Sequence, residues 1–217
     1  MSSERAELDT PLLQEHFQDL EQQGHAARFG MWIFLATEIL LFGGLFVGYM
    51  VYRSLFSEAF KEASKHLDAT LGTIETLDLL TSSLFAVLGL HYLKVGKKGL
   101  SAFFLMLVVA CGAIFLVLHG FEYVHEFHEG IEPGPFYHYR ELPDQGAVLF
   151  FTLYFMMTTL HGFHVAVGVS LIAVSAAWVY KRRIRTEYVG PLEVMTLYWH
   201  LIDIIWIYLY PLLYLAG

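Results

Sequence analysis

A carboxyl group stands in the middle of an apolar run: Glu38 lies within MWIFLATEILLFGGLF, residues 31–46. A carboxyl placed there can carry a proton, hold a cation, meet a lipid headgroup or, protonated, hydrogen-bond inside a helix bundle, because burial favours its neutral form. Other ionisable residues keep similar company. His161 and His164 are three apart, a spacing that puts both on one side of a helix. Such a pair raises metal or haem ligation, but an axial haem pair needs a matching His on another run, and none stands at equivalent depth. His200 and Asp203 repeat the spacing. They are read as a charged or hydrogen-bonded pair that glues helices rather than as a catalytic dyad. Glu122 and His125 form an E-x-x-H pair in HGFEYVHEFHEG. Di-iron bundles need two such motifs and two further glutamates, and the chain has no second one. The segment is therefore expected to be an amphipathic helix end emerging into water. No catalytic, cofactor-binding or metal-binding residue is assigned.

The elements that position these groups follow from composition. The chain has 217 residues, 56% of them hydrophobic and only 16% charged, above the ~45–50% apolar share of soluble domains. Mean hydropathy is positive, at +0.52. Five apolar runs cover residues 29–52, 75–93, 100–119, 147–180 and 194–215. A helix needs roughly 20 such residues to cross a bilayer core of about 30 Å, whereas barrel strands use ~9–11. Only helices or closed barrels satisfy the backbone in lipid. The fold class is thus all-α: an integral membrane bundle of five transmembrane helices. The fourth run is expected to project beyond the bilayer at one end. Residues 1–28 read as an N-terminal segment in water, with a short surface helix at LLQEHFQDLEQQGHAARF, and residues 29–217 as the membrane domain.

Orientation follows the positive-inside rule, which counts Lys and Arg. Arg5, Arg28, Lys94, Lys97, Lys98, Lys181, Arg182, Arg183 and Arg185 fall on one side, against Arg53, Lys61, Lys65 and Arg140 on the other. This places the N-terminus in the cytoplasm and the C-terminus outside. The net charge of −8 and the lack of a basic stripe argue against nucleic acid. Cys111, the lone cysteine, excludes an intrachain disulfide. Gly44 and Gly48 form a small-xxx-small pair that lets a helix approach closely, within the chain or from a partner. A proton-coupled transporter using Glu38 and Asp203 is a second reading, opposed by an odd span count that inverted repeats do not allow.

Five segments, in order, resemble subunit III of the haem–copper respiratory oxidases. They are QQGHAARFGMWIFLATEILLFGGLF with Glu38, LLTSSLFAVLG, the stretch ending HGFEY with Glu122 and Tyr123, LHGFHVAVG with His161, Gly162, His164 and Gly168, and YWHLIDIIWIYLYPLLYL with Trp199, His200, Asp203 and Trp206. Longer members of the family have seven helices, and the resemblance implies a chain without the first two, as in bacterial five-helix members. Glu75 and Asp78, and the histidines of HEFHEG, depart from the pattern. The resemblance implies a non-catalytic subunit in the bacterial inner membrane, packed on subunit I, near subunit II and small subunits. It implies bound phospholipid, with haem and copper held by the partner subunits. It implies support of proton uptake and oxygen access, with Glu38, Glu122, His161, His164, Trp199, His200 and Asp203 as candidate proton-support or lipid-contact residues. Cytochrome c is the first expectation for the electron donor; a quinol oxidase subunit or an accessory protein of nitric oxide reductase is the alternative.

Overall fold

The computed structural model describes residues 16–139, 142, 145–181 and 189–215. Six α-helices run through them: α1 (Leu20–Leu55), α2 (Ser57–Ser64), α3 (Ala69–Lys94), α4 (Lys98–Glu129), α5 (Gln145–Tyr180) and α6 (Gly190–Leu213). No strand occurs among the described residues. All but α2 are long and apolar enough to cross a membrane, as the sequence predicts. Their ends carry ordinary signals. Asp19 caps α1 by accepting from the Gln22 amide, and Asp68 caps α3 by accepting from Thr70 and Leu71. Gly130, at φ 83°, ends α4 in the left-handed region that glycine adopts without strain.

Helices α3, α4, α5 and α6 each pack on two neighbours and close a four-membered ring. Trp199, Trp206, Phe115 and Tyr154 fill its interior, all fully buried. Helix α1 lies outside the ring, against α6 and α5. Only 17% of its apolar window is buried, against 56% for α6. Trp32, Leu40 and Val47 face outward from it, onto lipid or a partner protein. Helix α2 tucks under the start of α5, where Phe60 meets Tyr49 at 5.3 Å and Phe150 at 5.4 Å between ring centroids.

Three ties pin α1 to the ring at successive depths. Arg28 reaches Glu193 at 3.2 Å, Glu38 reaches His164 at 2.9 Å, and the Tyr49 hydroxyl donates to the Leu212 carbonyl at 2.8 Å. At about 1.5 Å rise per residue these ties stand roughly 15 Å apart along the helix, so Glu38 sits halfway across a ~30 Å hydrocarbon core. Glu193 also binds Lys94 at 2.7 Å. The start of α1, the end of α3 and the start of α6 therefore share one side, as the charge count groups them.

Several expectations change. Residues 20–28 continue the first span as one helix instead of forming a separate surface element; residues 1–15 lie outside the described residues, as do Arg140, Arg182, Arg183 and Arg185. The third span runs ten residues past His119, to Glu129. Glu122 is consequently not at a helix end entering water: it is buried, because its face of α4 turns into the ring. His125, three residues on, points away, with its side chain 74% exposed. Helix α2 lies between the first two apolar runs, its short apolar side formed by Phe60 and Ala63.

Candidate functional site

The site is built where α1 meets α5. His164 is held first by its own helix: Nδ1–H donates to the Leu160 carbonyl at 2.7 Å. A carbonyl only accepts, so Nδ1 carries a proton. Nε2 then faces Glu38 Oε2 at 2.9 Å, and that bond needs one further proton. Either the carboxyl donates to a bare Nε2, or a doubly protonated ring donates to the carboxylate. The pair is electrically neutral in both arrangements, which lowers the cost of about 2.5–3.5 kcal/mol for an unaided charge at mid-membrane. It holds one transferable proton between two atoms. Both side chains retain slight exposure, 12% for Glu38 and 11% for His164. Phe42 covers His164 edge-on at 5.5 Å, and Tyr198 donates to its carbonyl at 3.3 Å.

Beside the pair, α1 and α6 leave a groove of about 540 Å³, walled by Trp32, Ile39, Phe42, Phe46, Ile204 and Tyr208, with His200 on its margin. Such a lining, apolar apart from a few placed polar groups, suits a hydrocarbon chain. His200 does not pair with Asp203: its Nδ1 meets Ser83 Oγ at 2.6 Å across to α3. Asp203 is buried beside Ser83 and Asp78. The expected helix glue is present, but it joins α6 to α3 through Ser83.

His161 and His164 also part company. His161 is fully buried inside the ring, stacked on Trp206 at 5.1 Å and edge-on to Phe115 at 5.5 Å. Three helical residues turn through about 300° at 3.6 per turn, so the two imidazoles sit some 60° apart and address different neighbours. Trp199 donates its indole N–H to Ser82 Oγ at 3.0 Å, and Trp206 donates to Thr76 Oγ1 at 3.1 Å. These bonds lock α6 to α3. Gly168 gives Trp199 its place: a Cβ built there would stand 2.9 Å from the ring. Gly44 and Gly48 do not serve packing against the described residues of the chain. Nothing lies within 4 Å of a Cβ built at either, so their surface is open.

A second polar cluster within the ring carries no recognisable motif. Glu75, His119 and Glu126 are all buried near Glu122. Tyr214 donates to Glu122 Oε2 at 2.8 Å. The available signal was the spacing His119, Glu122, Glu126, which places all three on one helix face.

Together these features define a multi-pass membrane subunit whose ionisable groups are sheltered between helices. A family model described as cytochrome c oxidase subunit III matches residues 12–217, and the chain belongs to that family: it is a subunit III of a haem–copper oxidase, which associates with other oxidase subunits. A probable quinol oxidase subunit 3 from Staphylococcus haemolyticus (strain JCSC1435) is 28% identical over 195 residues, covering 90% of this chain and 91% of the relative. A protein of the same description from Staphylococcus aureus (strain USA300) is 26% identical over 196 residues, with the same coverage.

Proposed function

We propose that the chain is the third subunit of a bacterial quinol-oxidising terminal oxidase, with haem and copper carried by partner subunits. The choice of quinol over cytochrome c rests on relatives that are similar over nine tenths of both chains and carry that description. The expectation of a cytochrome c donor gives way to its stated alternative. In this reading the outward face of α1, with Gly44 and Gly48, meets subunit I. The chain lies in the inner membrane with its N-terminus in the cytoplasm.

The observation that carries the role is the Glu38–His164 pair. It keeps one proton at mid-membrane depth on a rim helix, next to a groove that takes a phospholipid acyl chain. A neutral pair of this kind supports proton uptake by a neighbouring subunit without placing a bare charge in lipid. The test is the donor assay: oxygen uptake by membranes with and without this chain, driven by reduced quinol or by reduced cytochrome c. Quinol-driven uptake that decays faster per turnover without the chain supports the reading. Uptake driven only by cytochrome c, or insensitive to the chain, refutes it.

A further inference from the structure

Inside the ring, apart from the Glu38–His164 pair, three buried side chains from two helices converge. They are Glu75 of α3 and His119 and Glu122 of α4, and one ligand atom of each lies within 4.8 Å of the other two. His119 Nδ1 stands 3.3 Å from Glu122 Oε2 and 3.6 Å from Glu75 Oε1. A charge-assisted hydrogen bond closes to about 2.7–2.9 Å, and the His164–Glu38 contact is as short, at 2.9 Å. The His119 contacts do not close. Ligand atoms around a tetrahedral zinc ion, with bonds of about 2.0–2.2 Å, stand roughly 3.3–3.6 Å apart, which matches the two distances from His119.

A second observation points the same way. Among the described residues, both oxygens of Glu75, both ring nitrogens of His119 and Oε1 of Glu122 have no hydrogen-bond partner. Glu126, one turn further along α4 and 4% exposed, lies within electrostatic reach of Glu122 and His119, with the Tyr154 hydroxyl beside it. Buried polar atoms are normally satisfied, and so many orphans in one place mark a missing ligand. Two carboxylates and a neutral imidazole carry two negative charges, which a divalent cation cancels in surroundings where unpaired charge is costly. The donor set narrows the ion. Calcium takes six to eight oxygens and magnesium retains water, whereas imidazole with carboxylate suits zinc-class ions. The outer shell is in place: the Tyr214 hydroxyl holds Glu122, and Phe115 stacks on His119 at 5.6 Å. Glu126 lies between the cluster and the end of α4.

We propose that Glu75, His119 and Glu122 bind one zinc-class divalent ion that ties α3 to α4. The expectation of no metal weighed Glu122 only against His125, which faces outward; the ligand partners come from one turn earlier and from the neighbouring helix.

The experiment uses the full chain, purified in mild detergent through a tag without histidine, from cells grown with zinc sulfate. Zinc content is measured by plasma mass spectrometry after competition with a chelator, and helicity by circular dichroism. The expected result is about one zinc per chain, an affinity at least tenfold weaker in His119→Gln and in Glu75→Gln, and no change in His125→Gln. Wild-type zinc-edge X-ray absorption should show nitrogen and oxygen ligands only. A helical wild type that retains no zinc, or retention that His119→Gln and Glu75→Gln leave unchanged, overturns the proposal. Should both variants lose helicity, the absorption spectrum decides: imidazole with carboxylate supports the site, and ligation by sulfur or water alone overturns it.

Discussion

Replacing Gly168 with alanine puts a carbon where the protein has none. The new Cβ would stand 2.9 Å from Cε3 and 3.0 Å from Cζ3 of Trp199, and 3.1 Å from Cδ1 of Ile202. Carbon atoms rest at about 3.5–4.0 Å, so several tenths of an ångström must be found. Trp199 cannot retreat. Its indole N–H is held by Ser82, and its far edge already faces Gly112, where a Cβ would come within 2.8 Å of Cη2. Helices α5 and α6 must separate instead. Overpacking of this kind costs about 1–3 kcal/mol, offset in part by the roughly 0.5–1 kcal/mol that alanine gains over glycine within a helix. Gly162 is the internal control: it lies on the same helix, and nothing stands within 4 Å of a Cβ built there. The helix term cancels between the two variants, and the full overpacking term of about 1–3 kcal/mol separates them. With about 2–4 °C of melting shift per kcal/mol at this chain length, Gly168→Ala should melt roughly 2–12 °C below Gly162→Ala. The assay is thermal unfolding of the purified chain in one detergent, followed by circular dichroism. If Gly168→Ala melts with or above Gly162→Ala, the seating of Trp199 against Gly168 is wrong.

Other outcomes follow from the same contacts. Glu38→Gln still donates an N–H to the bare Nε2 of His164, whereas Glu38→Ala leaves that nitrogen unpartnered; the alanine variant should be less stable than the glutamine by about 1–3 kcal/mol in the same melt. In the assembled oxidase both variants lack the transferable proton, and both should shorten the number of turnovers before inactivation. Glu193→Gln removes a carboxylate shared by Lys94 and Arg28; a partly exposed ion pair contributes about 0.2–1 kcal/mol, and the loss should shrink when the melt is repeated in high salt. Gly44→Leu with Gly48→Leu should leave the isolated chain within about 0.5 kcal/mol of wild type while reducing co-purification with the catalytic subunit, because the open surface there is the one assigned to the partner.

The five spans were legible because length and hydropathy are local properties. Their ends were less so. HGFEYVHEFHEG looks solvated towards its end when read alone, yet Glu122 and Glu126 face the ring while His125 and Glu129 do not, and a linear run of polar letters hides that division. Helix α2 was invisible for the opposite reason: eight residues with a two-residue apolar face carry too weak a period to stand out in a polar segment. Glu38 announced itself by its surroundings, but its partner did not. Pairing it with His164 rather than His161 requires knowing which side of α5 meets α1, a tertiary fact. Glu75 drew notice only as a departure from a family pattern. Its convergence with His119 depends on the antiparallel register of α3 and α4, which no single-chain periodicity encodes. The His200–Asp203 pairing failed similarly, since Ser83 on another helix competes for His200.

The most direct measurement is to capture this chain from its native membrane through an affinity tag and record the visible spectrum of what comes with it. The account predicts haem absorption that co-purifies in mild detergent and is lost when harsher detergent strips the partner subunits, leaving a chain free of haem and copper. A chain that comes away colourless under every mild condition, or one that keeps haem or copper after its partners are removed, would contradict it.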